Sequence, residues 1–189
     1  KILNPIADKI PWFMGGSADL GPSTKTYIKE ASSFNREDYG GRNFHFGVRE
    51  HAMGAIINGM TLSKLRPYGA TFFVFSDYVR PAIRLSSLMK QPVIYIFTHD
   101  SIGVGEDGPT HQPVEHLASL RAMPGLDVIR PSDANELSVM WKYIMGLKDR
   151  PVALVLSRQA MPTLDRSKHA SAEGALKGEI GRASCRERV

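Results

Sequence analysis

One cysteine, Cys185, stands in 189 residues, so no internal disulfide can form and a disulfide-stapled secreted scaffold is excluded. No apolar run reaches the roughly 18 residues that would read as a membrane-spanning helix. No basic-then-apolar leader opens the chain, and the expected setting is cytoplasmic, with no membrane partner. Charge of one sign is also sparse. The formal net charge is +5, but the last ten residues carry Arg182, Arg186 and Arg188 against Glu187, a net +2, and the other basic residues are scattered. Nucleic-acid binders concentrate such charge on one face or stripe, so no nucleic-acid partner is expected.

What is present suits one well-filled core: 42% of the residues are hydrophobic. The chain begins at Lys1 rather than Met, and the expectation is a piece of a longer protein. Apolar spacing alternates between strand-like and helix-like segments. It predicts helices over 2–10, with Pro5 in the first turn, and over 48–64, where Met53, Ile56, Ile57 and Met60 share one face. Further helices are predicted over 76–90, 114–122 and 133–147, the last capped by Ser132-Asp133 with Glu136 in its first turn. Strands are predicted over 12–15, 43–46, 68–73, 93–97, 127–129 and 152–156, and 20–42 reads as a long surface loop. Such alternation implies an α/β fold, a mostly parallel twisted sheet with helices on both faces. Residues 1–160 form the expected domain, and 161–179 loses its periodicity and reads as a linker.

The stretch Thr98–Pro113, THDSIGVGEDGPTHQP, sets His99, His111, Asp100, Glu106 and Asp107 in a segment too rich in glycine for a helix. It directly follows the apolar run Val93–Phe97. In open α/β sheets, ligands bind beyond the carboxyl ends of the strands, so this loop is a candidate site. Glu50 lies at the strand-to-helix junction FGVRE, where an acid is favoured by the helix macrodipole whatever its function. Phe72, Phe75 and Tyr78 recur at three-residue spacing across the end of a predicted strand, which fits core packing or stacking on a flat heterocycle. Two patterns are set aside. Gly103-x-Gly105-x-x-Gly108 fits the dinucleotide fingerprint in form, but Glu106 and Asp107 would repel a pyrophosphate and Pro109 interrupts the helix it requires. His111 and His116 are separated by Pro113 and lack the one-face spacing of a zinc pair, so no metal site is expected in this chain. His45, His51, His116 and His169 are expected to be structural or exposed.

The signature loop resembles the thiamine diphosphate-dependent transketolases. So do GGSADLGPS at 15–23, GVREHAM at 47–53 and SRQ at 157–159, all in the family's order. The resemblance covers the family's central, pyrimidine-binding domain. It implies transfer of a two-carbon ketol unit from a ketose phosphate to an aldose phosphate, within the pentose phosphate pathway. In the family, the glutamate at Glu50 hydrogen-bonds the aminopyrimidine of thiamine diphosphate and activates the cofactor; Phe75 stacks on that ring, with Phe72 and Tyr78 completing the pocket. Asp19 matches a cofactor-side acid. His99, Ser23 and Arg158 match phosphate contacts, Asp107 a contact to a sugar hydroxyl, and His111 a catalytic residue beside the reacting carbons. Histidine and arginine chemistry suits those tasks. The resemblance also implies a homodimer whose site lies between this domain and the partner subunit's pyrophosphate-binding domain. There the diphosphate and its divalent cation, magnesium or calcium, are held through a GDG-to-asparagine segment; this sequence contains no such segment. The chain is therefore expected to be inactive alone. Other readings stay open: deoxyxylulose-phosphate synthase, a dehydrogenase beta subunit, dihydroxyacetone synthase, a naturally split enzyme, or a non-catalytic binding module. The ending IGRASCRERV resembles the conceptual translation of a sequencing-adapter oligonucleotide, so 180–189 is expected to be non-native.

Overall fold

The computed structural model describes residues 2–178, so the expectation about the 180–189 tail falls outside the described residues. Six strands form one sheet: β1 (Phe13–Ser17), β2 (Asn43–His45), β3 (Arg66–Phe72), β4 (Ile94–Thr98), β5 (Asp127–Ile129) and β6 (Val152–Val155), in the spatial order β2-β1-β3-β4-β6-β5. Every pairing is parallel. The helices are α1 (Leu3–Lys9), α2 (Gly21–Thr24), α3 (Glu50–Leu62), α4 (Ser76–Leu88), α5 (His116–Arg121) and α6 (Ala134–Gly146). The α/β sheet expected from sequence is the one formed.

Handedness places the layers. Crossovers β2-α3-β3, β3-α4-β4 and β4-α5-β5 all step in one direction along the sheet, whereas β5-α6-β6 steps back. Right-handed crossovers then require α6 on the opposite face. The two cores follow this division and the two-residue alternation of each strand. Tyr95, Phe97, Ala153 and Val155 pack with Met53, Ile57, Val79, Ala82, Ile83 and Leu120 on one face. Tyr68, Ala70, Ile94, Ile96, Val152 and Leu154 pack with Leu3, Ala7, Trp141 and Ile144 on the other. Helices α3 and α4 touch at Gly54, where a Cβ would lie 2.6 Å from Ala82 Cβ and 2.7 Å from Val79 Cγ2.

Strand β3 begins two residues earlier than the apolar pattern predicts, at Arg66-Pro67. Proline is tolerated there because it stands at the strand's start. The Arg66 guanidinium is only 8% exposed and donates to the carbonyl oxygens of Pro92 and Ile144. The 20–42 segment is not purely a surface loop. It contains α2, buries Ile28 in the second core, and is tied down by Asn43, whose side chain accepts from Ile28 N at 2.9 Å and donates to Ile28 O and Ala31 O. Its polar composition hides this, because side-chain amides rather than apolar periodicity hold it.

The N-cap of α6 is the one expected: Asp133 accepts from Glu136 N at 2.9 Å, while the Glu136 carboxylate accepts from Ser132 N at 2.8 Å. The Asp133 carboxylate also reaches beyond the helix. Asp133 accepts from Leu164 N at 2.9 Å and from Arg166 Nη2 at 2.7 Å. Residues 161–178 have no regular element except a 3-10 run at Ala172–Lys177, yet buried Asp133 holds this segment against the domain.

Candidate active site

All six strands point their carboxyl ends to one edge, and each candidate residue lies on a segment leaving that edge. Asp19 and Ser23 follow β1, Glu50 follows β2, and Phe75 and Tyr78 follow β3, whose last residue is Phe72. His99, Asp107 and His111 follow β4, and Arg158 follows β6. A parallel sheet is what brings residues more than a hundred positions apart to one edge.

Glu50 is the first residue of α3 and is 8% exposed. Among the described residues its carboxylate has no ionic or hydrogen-bonding partner, although it sits where the helix N-terminus favours negative charge. The aromatic series wraps from β3 through a 3-10 turn (Phe73–Phe75) into α4. Phe72 and Phe75 lie 6.2 Å apart with their rings nearly parallel at 3°, and Phe75 to Tyr78 is 5.8 Å at 28°. Tyr78 is 63% exposed, so the series grades from core to surface. Phe73, by contrast, is 1% exposed and packs on Phe97.

The two loop histidines join this shelf. His99 stacks on Phe72, and His111 meets Phe75 edge-on at 5.4 Å. His99 has a φ of 60°, a left-handed conformation that costs a non-glycine residue about 1 kcal/mol or more. Its Nδ1 is bonded to Thr98 Oγ1 at 3.0 Å. Burial pushes the His99 imidazole below its ordinary pKa; Asp107 opposes this, Arg158 and His111 add to it, and Asp100 opposes it. Between Asp107 and His111, Gly108 adopts φ 74° and ψ −170°, a region that only glycine occupies readily.

The loop is tied down at three points, each three residues after the last. Asp100 accepts from Arg130 Nε at 2.8 Å and is ion-paired with Nη2 at the same distance. Gln159 donates to Gly103 O, and Arg158 pairs with Glu106 at 3.8 Å. Arg130 was not legible as a site neighbour, because nothing in its own stretch marks it. It stands just beyond β5 and reaches the loop only through the sheet order.

Asp19 and Ser23 are both exposed, and among the described residues no side-chain hydrogen bond or ion pair joins either to the ring cluster. Asp19, with φ 65°, lines a separate cleft of about 190 Å³ with Ser17, Tyr27, His45 and Arg49 among others. His51 and His169 are exposed, while His45 bonds Tyr27 and Ser33 and buried His116 bonds Asp77 at 3.1 Å. Asp77, Glu115 and His116 bring three possible ligand atoms within 4.8 Å of one another.

The family model for the pyrimidine-binding domain of transketolase matches residues 1–163. The chain belongs to that family. It is 62% identical over 179 residues to the transketolase of Halalkalibacterium halodurans, covering 94% of this chain and 27% of that relative. Against the transketolase of Bacillus subtilis the identity is 60%, with the same coverage. The transketolase of Pichia stipitis, solved with sedoheptulose-7-phosphate, superposes with a TM-score of 0.88 at 45% identity, over 94% of this chain and 27% of that one. A split-gene transketolase, solved as an inactive β4 tetramer, superposes with a TM-score of 0.68 at 28% identity, over 86% of this chain and 51% of that one. This transketolase-family chain therefore spans about a quarter of the curated relatives it matches.

Proposed function

We propose that this chain is the pyrimidine half of a two-part active site that moves a two-carbon ketol unit from a ketose phosphate to an aldose phosphate with thiamine diphosphate. The observation that carries this reading is one sheet edge bearing a buried, unpartnered carboxylate and an aromatic shelf joined by two histidines. These residues suit the cofactor. Phe75, with Phe72 and Tyr78, offers flat faces to an aminopyrimidine, and such stacking contributes about 0.5–1.5 kcal/mol beyond area burial. Glu50 is placed to hold a proton against a ring nitrogen, and Asp19 supplies a further acid on the cofactor side. When bound, thiamine diphosphate supplies the carbon nucleophile and the electron sink for cleavage beside a ketose carbonyl.

The chain's own residues do the rest. His99, Arg158 and Ser23 bind the substrate phosphate, for which arginine's planar fork is well matched. Asp107 accepts from a sugar hydroxyl, and His111 moves a proton at the reacting carbonyl oxygen. The diphosphate and a magnesium or calcium ion are held by a pyrophosphate-binding domain outside this sequence, contributed by the partner subunit of a homodimer. Val48, Ile102 and Val114 are 76%, 68% and 77% exposed around the site, apolar side chains that such a domain would cover. We place the complete enzyme in the cytoplasm and in pentose phosphate metabolism. The inactivity of the split-gene β4 tetramer supports the reading that this half is inactive alone.

The test compares the chain, the chain mixed with a separately produced pyrophosphate-binding piece, and the complete protein. Xylulose 5-phosphate and ribose 5-phosphate serve as substrates, with pyruvate as the alternative donor. The expected result is transfer from xylulose 5-phosphate only when both parts are present. Transfer by the chain alone, or a preference for pyruvate, would overturn the reading.

A further inference from the structure

We propose that Arg130 is a positioning residue that holds the His99 imidazole in place by clamping Asp100. The proposal rests on the reading above only in taking His99 as a phosphate ligand. Three observations lead to it. Asp100 is the residue immediately after His99, and its side chain is only 8% exposed. A carboxylate taken out of water is costly unless it is paired, so its place in the fold depends on its partner. That partner is Arg130, which reaches past β6 from the edge strand β5 to set Nε and Nη2 on one Asp100 oxygen, each at 2.8 Å.

The third observation is the backbone between them. The chain leaves β4 through His99 in the left-handed region, which a residue with a Cβ adopts only when its surroundings impose it. On the upstream side Thr98 Oγ1 and the Phe72 ring hold the imidazole. On the downstream side the nearest tie is the Asp100–Arg130 pair, ahead of the Gly103–Gln159 bond. With Arg130 removed, Asp100 gains by turning out to water, and the peptide it shares with His99 loses the tie that opposes relaxation of the left-handed His99 backbone. The imidazole then leaves the Phe72 face. A lysine at 130 restores the charge but can place only one nitrogen, so it should restore the position in part.

The experiment follows the His99 ring proton by NMR through a pH titration of the chain itself, with no sugar phosphate present. The variants are Arg130→Met, Arg130→Lys, Asp100→Asn/Arg130→Met, and the exposed-pair control Arg150→Met. The charges that act most on His99 are Asp107, Arg158, His111 and Asp100; Arg130 is not one of them. Loss of Arg130 also leaves the Asp100 charge, which does act on His99, without its counter-ion, so movement is read from the Phe72 ring-current shift and the pKa is a second readout. Arg130→Met is expected to raise the His99 pKa towards its ordinary value and to remove the ring-current shift from Phe72. Arg130→Lys should fall between, and Arg150→Met should match wild type. If Arg130→Met does not fold, the double variant, which leaves no unpaired buried charge, gives the same reading through the Phe72 ring-current shift, its pKa also reflecting the lost Asp100 charge. Wild-type behaviour of His99 in whichever of these two variants folds overturns the proposal. In the complete protein, Arg130→Met should raise KM for the ketose phosphate several-fold more than it lowers kcat; an unchanged KM also overturns it. A complete wild-type protein without ketol transfer would sink the proposed function alone, because the NMR result does not depend on turnover.

Discussion

The imidazole of His99 lies 3.6 Å from the ring of Phe72, centroid to centroid, at an angle of 24°. The contact links the last residue of β3 to the first residue beyond β4, in a register where Phe72 pairs with Thr98. It also buries a group that titrates near neutrality. Burial is the main reason the His99 pKa lies below its ordinary 6.5. Folded His99 therefore binds fewer protons than unfolded His99 just below that pH. Its contribution to stability is full above the unfolded value and is lost as pH falls through the folded one. Urea midpoints measured from about pH 7.5 down to 5 should fall for the wild type, and fall less steeply for His99→Gln. Identical slopes would show that His99 does not supply this dependence.

Asp133 carries a second, more acidic dependence. Burial pushes its carboxyl up, but the amides of Glu136 and Leu164 and the Arg166 guanidinium outweigh burial and hold it below its ordinary value. The stability it contributes is present above the unfolded pKa and lost as pH falls through the folded one. Asp133→Ala removes a helix cap, worth about 1 kcal/mol, and the shorter of the two ion pairs of Arg166, which keeps Glu136 at 3.5 Å, so a loss of about 2–4 kcal/mol is expected. Urea unfolding measures the total, and limited proteolysis shows whether 161–178 is released. A loss of only the cap's size, with that segment still protected, would mean that Glu136 and the Ala170 carbonyl suffice to hold Arg166.

Much of this fold was legible because its strands are short apolar runs separated by amphipathic helices. Val93–Phe97, Val152–Leu156 and the Asp133 cap are where the pattern places them, within a residue or two. The pattern failed where polar side chains hold the backbone. Asn43 anchors the 20–42 segment, Arg66 the start of β3, and Asp133 the 161–178 stretch. Such ties join residues distant in sequence and leave no period. The aromatic series was visible as spacing, but its union with His99 and His111 depends on β3 and β4 being neighbours. Arg130 lacked even a local sign.

Gly54 tests the packing of the two helices whose N-termini face the site. Alanine is favoured over glycine inside a helix by about 1 kcal/mol, so propensity alone predicts stabilisation. The space predicts the reverse. Ala82 Cβ would stand 2.6 Å from the new Cβ, and it cannot withdraw without moving α4. Overpacking of this kind costs about 1–3 kcal/mol, so Gly54→Ala should be net destabilising in urea unfolding, and Gly54→Val more so. A stabilised Gly54→Ala would mean that the helices separate easily, and the aromatic shelf on α4 would then be less firmly placed than its ring geometry implies.

Glu50 separates catalysis from folding. Its position at the first turn of α3 gives it a dipole benefit of about 0.3–1 kcal/mol, and it makes no ion pair that a substitution would break. Glu50→Gln and Glu50→Ala should therefore shift the urea midpoint of this chain only slightly. In the complete protein the same changes remove the group proposed to hold a proton against the cofactor ring. General acid–base contributions are about 100- to 10,000-fold, so kcat should fall by that order while the ketose phosphate KM changes little. Glutamine keeps the shape and a hydrogen-bonding oxygen but cannot exchange the proton, so it should be nearly as slow as alanine. Both variants are folded by circular dichroism if the reading is right. A Glu50→Gln enzyme within tenfold of wild type would leave Glu50 as a helix-terminal acid with no part in the chemistry, and would favour a non-catalytic binding module instead.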